Sequence, residues 1–386
     1  MTITITIILL CASAAAITAA LYWYAFRYEP VNFKLFETKV YIRNKAGKIE
    51  KTNNQCRYIN EIKERTSDQP FLKILHLSDF HLRKDRKGHK LFYFIGSLKN
   101  IKPDFIFLTG DLVEKDENFD FLIEMLAGLK ASTGKYAVLG VHDYFNKTLV
   151  EFLKNMIKRK KRYRRENDVK KLISKLNSAG FQVLRNRAAF HKCNDIEIEI
   201  SGLEDSIIRK ADVEAAFLNN DNAFNLNRKD LKKDYLCQAD FNCMGPIRMN
   251  SGQNNSEHDD LKFKHGRNRN KYRQIFKINS EGIHTLNNEG RLIICLTHTP
   301  DMDLLVDLTE KDVDIILCGH THGGQVRLPL IGALTSGCNI RTRYCSGLFY
   351  FKKFVLYTSR GLGEGRYSPF RFFCQPEAAL INIYKF

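Results

Sequence analysis

Five predicted strands of this chain each end in a block of aspartate or histidine, and this pattern constrains the fold more than any other feature. The strands are predicted at residues 71–77, 104–108, 135–139, 291–296 and 313–317, with helices at about 90–100 and 120–130 between the first three. Buried strands that alternate with helices are typical of an α/β fold, which places reactive side chains at the carboxyl ends of its strands. The sequence therefore predicts an α/β domain with a polar site at one edge of a sheet.

The residues in these blocks are of types that bind divalent metals. They are Asp79, His81, Asp111, His142, Asp143, His298, His320 and His322. A single aspartate at a strand end often caps a helix, and a lone histidine is usually an ordinary surface or core residue. Several such residues at the ends of successive strands favour a metal site instead. A mixed set of imidazole and carboxylate ligands suits Mn²⁺, iron or Zn²⁺ better than Mg²⁺, and Mn²⁺ is our first choice.

The order of these blocks resembles the five motifs of the calcineurin-like metallophosphoesterases. The matching blocks are Asp79-x-His81, Gly110-Asp111, Gly140-x-His142-Asp143, His298 and Gly319-His320-x-His322. The flanking sequence, which includes Leu77-Ser78-Asp79 and Thr297-His298-Thr299-Pro300-Asp301, is similar to a membrane-associated, YkuE/YaeI-like bacterial branch of that family. The resemblance implies a four-layer sandwich, in which two central β-sheets are flanked by helices.

The resemblance also implies a dinuclear metal centre and a hydrolytic activity. One ion would be bound by Asp79, His81 and His322 and the other by His298 and His320, with Asp111 bridging both. His142, oriented by Asp143, would stabilise the transition state or protonate the leaving oxygen. Two divalent ions in such a centre activate water for attack on phosphorus and offset charge on the phosphoryl oxygens. The implied reaction is hydrolysis of a phosphodiester or pyrophosphate bond.

One position departs from the family pattern. Where the family has an asparagine whose side-chain oxygen binds the second metal ion, this chain has Val141. Valine offers no ligand atom, so the second ion keeps only Asp111, His298 and His320 from the protein. Two interpretations follow: an active enzyme with a weakly held second ion, or a protein that is drifting towards a binding role. We favour an active enzyme, because the other metal and catalytic positions are all present.

The N-terminal residues predict a membrane anchor. Residues 2–26 carry no charge and are long enough to span a hydrocarbon core of ~30 Å as a helix. The run Tyr22-Trp23-Tyr24 stands where aromatic residues collect at a membrane interface. A cleaved signal peptide is the alternative, because Ala12-Ser13-Ala14 resembles a cleavage site. Lysine and arginine follow the apolar stretch, which predicts a single-pass protein of the inner membrane with its catalytic domain in the cytoplasm.

The formal net charge of +18 predicts anionic partners. A basic arm at residues 154–171 and an aromatic-basic loop at 369–373, together with the anchor, favour an amphiphilic substrate taken from the membrane surface. The resemblance adds a specific candidate, UDP-2,3-diacylglucosamine of lipid A synthesis. The basic arm also permits a general phosphodiesterase or nuclease, although a basic run with one aromatic residue is weak evidence for nucleic-acid binding. The third interpretation, motivated by Val141, is a non-catalytic membrane regulatory protein with a degenerate metal site.

These features predict the domain boundaries. Residues 1–26 form the anchor, 27–70 a juxtamembrane segment with a first strand, and 71–386 the metallophosphoesterase domain. The basic arm at 154–171 and a polar, mobile insertion at 206–289 interrupt that domain. The chain has ten cysteines and no C-x-x-C pair, which favours reduced, packed thiols over a disulfide framework.

Overall fold

Two β-sheets form the centre of the molecule. The computed structural model describes residues 2–44, 69–146, 165–193, 195–217, 274–288, 290–365 and 368–385. The strands are β1 (Lys34–Arg43), β2 (Leu72–Leu77), β3 (Phe105–Thr109), β4 (Gly134–Val138), β5 (Phe145–Asn146), β6 (Arg165–Glu166), β7 (Gln182–Val183), β8 (Arg187–Cys193), β9 (Ile196–Gly202), β10 (His284–Thr285), β11 (Arg291–Leu296), β12 (Ile315–Cys318), β13 (Arg327–Leu328), β14 (Gly332–Ala333), β15 (Gly347–Tyr350), β16 (Val355–Thr358) and β17 (Glu377–Lys385).

The α-helices of the described residues are α1 (Thr2–Trp23), α2 (Arg86–Ser97), α3 (Phe119–Leu126), α4 (Val141–Tyr144), α5 (Val169–Ser178), α6 (Val213–Phe217) and α7 (Met302–Leu308). Short 3₁₀ turns lie at Leu98–Asn100, Asp116–Asn118, Ser206–Ile208, His322–Gly324 and Thr342–Tyr344. Beyond α1 the helix continues through a π-helical segment, Tyr24–Tyr28, into the 3₁₀ turn Glu29–Val31.

The strand order places the predicted site at one edge of the sandwich. The first sheet has the order β10-β1-β17-β2-β3-β4-β7 and the second has the order β15-β16-β12-β11-β9-β8. Strands β2, β3 and β4 are parallel, as are β9, β11, β12 and β16. Because parallel neighbours present their carboxyl ends at the same edge, the polar block after each strand is brought beside that of the next strand.

Alternating side chains of the strands build the layers. In β3, Phe105 and Phe107 pack between the sheets, whereas Ile106 and Leu108 pack against the helices on the outer face. The apolar stripes of α2, α3 and α5 cover that face, and α6 and α7 cover the outer face of the second sheet. The predicted four-layer sandwich with an N-terminal apolar helix is therefore confirmed.

Two long strands were not predicted from the sequence pattern. Strand β17 lies in the middle of the first sheet, parallel to β1 and antiparallel to β2. Strand β8 forms the edge of the second sheet and pairs with β9 as a hairpin. Strand β1, from the predicted juxtamembrane segment, is an integral part of the first sheet because it pairs along its length with β17.

Both flanks of the predicted insertion at 206–289 pack in the folded domain. Ala216 and Phe217 are buried in the cluster under the second sheet, and β10 extends the first sheet beside β1. Residues 218–273, between these flanks, lie outside the described residues. Most of the basic arm, residues 154–164, also lies outside them.

The N-terminal helix stands clear of the sandwich until its last turns. The helical segment Ile3–Val31 has a mean hydropathy of 2.2 in its most apolar window, and that window is not buried. By length and composition it is able to cross a membrane. Cys295 and Cys318, whose packing the sequence predicted, are buried in the core.

Candidate metal centre

All eight predicted site residues lie together where the strand-end loops of the two sheets meet. From the first sheet, Asp79 and His81 follow β2, Asp111 follows β3, and His142 and Asp143 lie in α4 after β4. From the second sheet, His298 follows β11, and His320 and His322 follow β12. Five of the eight are buried, whereas His142, His320 and His322 are partly exposed and open the site to solvent.

One candidate ligand group consists of Asp79, His81 and His322. Their ligand atoms lie within 4.8 Å of one another. His81 Nε2 is 3.0 Å from His322 Nε2, and His322 Nε2 is 3.7 Å from Asp79 Oδ1. Three donor atoms from the loops after β2 and β12 therefore face one point, which is the arrangement a metal ion requires.

A second group consists of Asp111, His298 and His320. Their ligand atoms also lie within 4.8 Å of one another. His298 Nε2 is 3.2 Å from both Asp111 Oδ2 and His320 Nδ1. The same Asp111 oxygen lies 3.6 Å from His81 Nε2 of the first group. Asp111 thus stands between the two groups, in the position of a bridging carboxylate.

Hydrogen bonds on the far side of the rings orient two of these imidazoles. His81 Nδ1 is 2.8 Å from Glu114 Oε1, and His298 Nδ1 is 2.7 Å from the carbonyl oxygen of Thr109. An oxygen acceptor holds the ring proton on Nδ1, which leaves the lone pair of Nε2 directed into the site. Both rings are therefore set as metal ligands by their neighbours.

The backbone is strained at most of these positions. Positive φ angles are found at Asp79 (53°), His81 (43°), Asp111 (51°), His320 (67°) and His322 (48°), a conformation that costs free energy in residues with a β-carbon. Strain of this kind persists where the surrounding structure enforces a functional geometry. Gly319 is required for lack of space, because a β-carbon there would stand 2.2 Å from Asp79 Oδ2.

Glu114 is a further candidate site residue, which the sequence analysis missed. Its side chain is 5% exposed, and its two carboxylate oxygens face different imidazoles: Oε1 contacts His81 Nδ1, and Oε2 lies 3.8 Å from His142 Nδ1. The rings of His81 and His142 are themselves 4.8 Å apart. One carboxylate therefore connects a metal-ligand candidate with the predicted catalytic histidine. Glu114 could have been found from the sequence, because it lies three residues after Asp111 in the same strand-end loop.

Asp143 makes contacts other than those expected. Its carboxylate accepts hydrogen bonds from the backbone N–H groups of Leu112 (2.8 Å), Val113 (3.2 Å) and Gly140 (2.9 Å). These contacts tie the loop after β3 to the start of α4, so Asp143 shapes the site through the backbone. Glu114 also faces the His142 ring, at 3.8 Å from Nδ1, and the orienting role of Asp143 stays a prediction.

Comparisons with known proteins agree with this geometry. Residues 72–184 match the family model described as calcineurin-like phosphoesterase. This segment is similar to a calcineurin-like phosphoesterase domain. Phosphodiesterase YaeI of Escherichia coli (strain K12) is 36% identical over 96 residues, which are 25% of this chain and 33% of that protein.

Two relatives match over most of their length. An uncharacterized metallophosphoesterase, YkuE of Bacillus subtilis (strain 168), is 23% identical over 81% of this chain and 78% of that protein. The UDP-2,3-diacylglucosamine pyrophosphatase LpxG of Chlamydia muridarum (strain MoPn / Nigg) is 23% identical over 81% of this chain and 83% of that protein. The family and these relatives support a metal-dependent phosphoester hydrolase, and the family uses two metal ions.

The charges of this phosphoesterase site favour cations. Burial alone would lower the pKa of His81, but the hydrogen bond to Glu114 and the charge of Asp111 outweigh it and raise that pKa to about 9. Burial would raise the pKa of Glu114, but the neighbouring His142 and His81 lower it to about 2. Burial and the charge of Asp111 raise the pKa of Asp143 to about 7. The donor types, their convergence and this potential all fit a pair of divalent ions.

A buried arginine supports the site from the opposite side. The side chain of Arg371 is fully buried, and Nη2 lies 3.3 Å from His322 Nδ1. The same nitrogen donates to the carbonyl oxygens of Arg360 and Gly361, at 2.8 and 3.2 Å. Burial and the neighbouring His81 and Arg371 hold the pKa of His322 well below its usual value.

Proposed function

We propose that this protein is a membrane-anchored phosphohydrolase that cleaves a phosphodiester or pyrophosphate bond in an amphiphilic substrate. The observation that carries the proposal is the convergence of two donor groups on the Asp111 carboxylate. Asp79, His81, Asp111 and His322 would hold one ion, and Asp111, His298 and His320 the other. When bound, two such ions supply an activated water and compensate the charge that develops on the phosphoryl oxygens.

His142 would supply the proton for the leaving group. The Glu114 carboxylate, 3.8 Å from Nδ1, stabilises the charged form of the ring. That form can donate a proton from the imidazole to the leaving oxygen or stabilise the negative charge there. His142 is partly exposed, so a substrate phosphate can reach it from solvent.

Val141 makes the second ion the weaker of the two in this proposal. Its side chain is 4% exposed and contributes only carbon atoms at the start of α4. Three protein residues would therefore hold the second ion, whereas the family pattern implies a fourth ligand, an asparagine, at this position. We take Mn²⁺ as the first metal to test, with iron and Zn²⁺ next, since all three accept mixed nitrogen and oxygen ligands.

The N-terminal helix supports an amphiphilic substrate. Its last turns pack on the loop that holds Arg371, since the Arg371 N–H donates to the carbonyl oxygen of Ala25 at 3.0 Å and the rings of Phe26 and Phe370 stack 5.0 Å apart. A membrane-crossing helix fixed here would hold the catalytic edge close to the bilayer. The printed function of LpxG makes UDP-2,3-diacylglucosamine our best specific substrate, with the domain on the cytoplasmic face of the inner membrane.

The test is hydrolysis of the acylated nucleotide by the full chain in proteoliposomes with Mn²⁺. We expect UMP and the acylated sugar 1-phosphate as products, lost on addition of a chelator. His320→Ala should abolish turnover, whereas His89→Ala, at an exposed position of α2, should leave it unchanged.

A soluble substrate tests the hydrolytic activity independently of the natural substrate. Hydrolysis of bis(p-nitrophenyl) phosphate without turnover of the acylated nucleotide would rule out UDP-2,3-diacylglucosamine as the substrate and still support a phosphohydrolase. Failure on both substrates with Mn²⁺, iron and Zn²⁺ would favour the non-catalytic alternative. The nuclease alternative depends on the basic arm, whose residues 154–164 lie outside the described residues.

A further inference from the structure

An apolar hairpin projects beside the metal centre. Strands β13 and β14 pair in antiparallel fashion, and Pro329, Leu330 and Ile331 form the tip between them. Leu330 is fully exposed, Ile331 is 70% exposed, and Leu334 just beyond the hairpin is 55% exposed. A cluster of large aliphatic side chains in water is unusual for a soluble surface and marks an interaction site.

The backbone at the tip favours a functional role for these side chains. Leu330 has a φ of 67°, in the left-handed region where glycine or asparagine is the ordinary choice for a turn. The chain therefore keeps a strained leucine at the most exposed point of the hairpin. The Leu330 side chain does not stabilise the fold by packing in the core, because it is fully exposed.

The hairpin is tied to the metal-binding loop. Arg327 at its base donates from Nη1 to the carbonyl oxygen of Gly323 at 2.8 Å and to Ser346 Oγ at 3.1 Å. Gly323 follows His322 directly in the sequence. The position of the hairpin is therefore fixed relative to the candidate metal ligands.

The hairpin is also continuous with the end of the N-terminal helix. Arg327 N–H donates to the Phe372 carbonyl oxygen at 2.9 Å, and Phe372 N–H donates to the Gln325 carbonyl oxygen at 3.0 Å. Tyr24, in the last turns of the helix, contacts the rings of Phe372 and Phe373 at centroid distances of 5.8 and 5.6 Å. The helix, the aromatic loop at 369–373 and the hairpin thus form one connected surface.

We propose that the β13–β14 hairpin inserts Leu330, Ile331 and Leu334 into the lipid bilayer as a second membrane contact beside the N-terminal anchor. This inference rests on the proposed function, in which the N-terminal helix anchors the protein in a membrane. The 3₁₀ turn Thr342–Tyr344 contacts β14, and exposed Arg341 and Arg343 there suit the headgroups of anionic lipids. With two contacts, the catalytic edge faces the membrane in one orientation, and the phosphate of a lipid substrate enters the site between them.

Tryptophan fluorescence in proteoliposomes tests this contact on the full chain. The protein has one tryptophan, Trp23, which lies in the N-terminal helix and reports on the anchor. The variant Trp23→Phe with Leu330→Trp moves that single reporter to the hairpin tip. The matched control combines Trp23→Phe with Phe190→Trp, because Phe190 is 43% exposed on β8, at the far edge of the second sheet.

We expect lipids with brominated acyl chains to quench the emission at position 330 and shift it to the blue, as for Trp23 in the wild type. Emission at position 190 should be neither quenched nor shifted. Quenching at Trp23 without quenching at position 330 would overturn the hairpin contact and leave the anchor in place. A blue shift at position 330 without quenching would mean that a protein partner or a second copy covers the tip, and would also overturn it.

Tryptophan quenching tests the membrane contact separately from the proposed hydrolytic function. Absence of quenching at Trp23 itself would overturn the anchor and the hairpin contact together, whatever the hydrolytic activity. Quenching is independent of turnover, so a catalytically inactive protein can still pass the test. Circular dichroism of each variant checks that the fold is retained.

Discussion

Replacement of Glu114 by glutamine tests the electrostatic arrangement of the site. The substitution keeps the size of the side chain and an oxygen acceptor near His81, but removes the negative charge between His81 and His142. A hydrogen bond to a charged group is worth about 1.5–3 kcal/mol, which corresponds to about a 10- to 150-fold change in affinity. The usual effect of losing a partner behind a metal ligand, about 10- to 100-fold, lies in the same range.

We therefore expect Glu114→Gln to weaken Mn²⁺ binding by about 10- to 100-fold. Glu114→Ala, which removes the hydrogen bond as well, should weaken it further. The measurement is titration of metal-free protein against a competing chelator, with circular dichroism to check the fold. The matched control is Glu117→Gln in the same loop, since the Glu117 side chain is 70% exposed and pairs with Lys115. Equal Mn²⁺ affinities for the Glu114 and Glu117 variants would refute the reasoning.

Three other substitutions test separate parts of the structure. Val141→Asn should raise the metal content of dialysed protein from near one to near two ions, measured by mass spectrometry; unchanged metal content and turnover would contradict our account of this position. His142→Asn should reduce kcat by about 10²- to 10⁴-fold while both ions stay bound; a loss of metal instead would assign His142 as a ligand. Phe107→Ala, between the sheets, should lower the free energy of unfolding by about 3–5 kcal/mol in urea; a loss below about 1 kcal/mol would show that the core repacks.

The sequence by itself singled out the candidate metal ligands, which the structure brings together, because they follow buried strands directly. A run such as residues 104–108 can be recognised locally, and the topology of parallel strands then brings the ends of successive strands together. For the same reason the α/β class and most helices and strands were predictable. Strand β17 was missed, because its place between β1 and β2 depends on pairing partners more than 300 residues away in the chain.

Only the tertiary structure decided how the site is supported. Glu114 lies 33 residues from His81, and Arg371 lies 49 residues from His322, so no local pattern connects either pair. The same holds for the surface formed by the N-terminal helix, the aromatic loop and the β13–β14 hairpin. Ligand types follow from local chemistry, whereas the groups that orient the ligands depend on contacts that exist only once the sheets have packed.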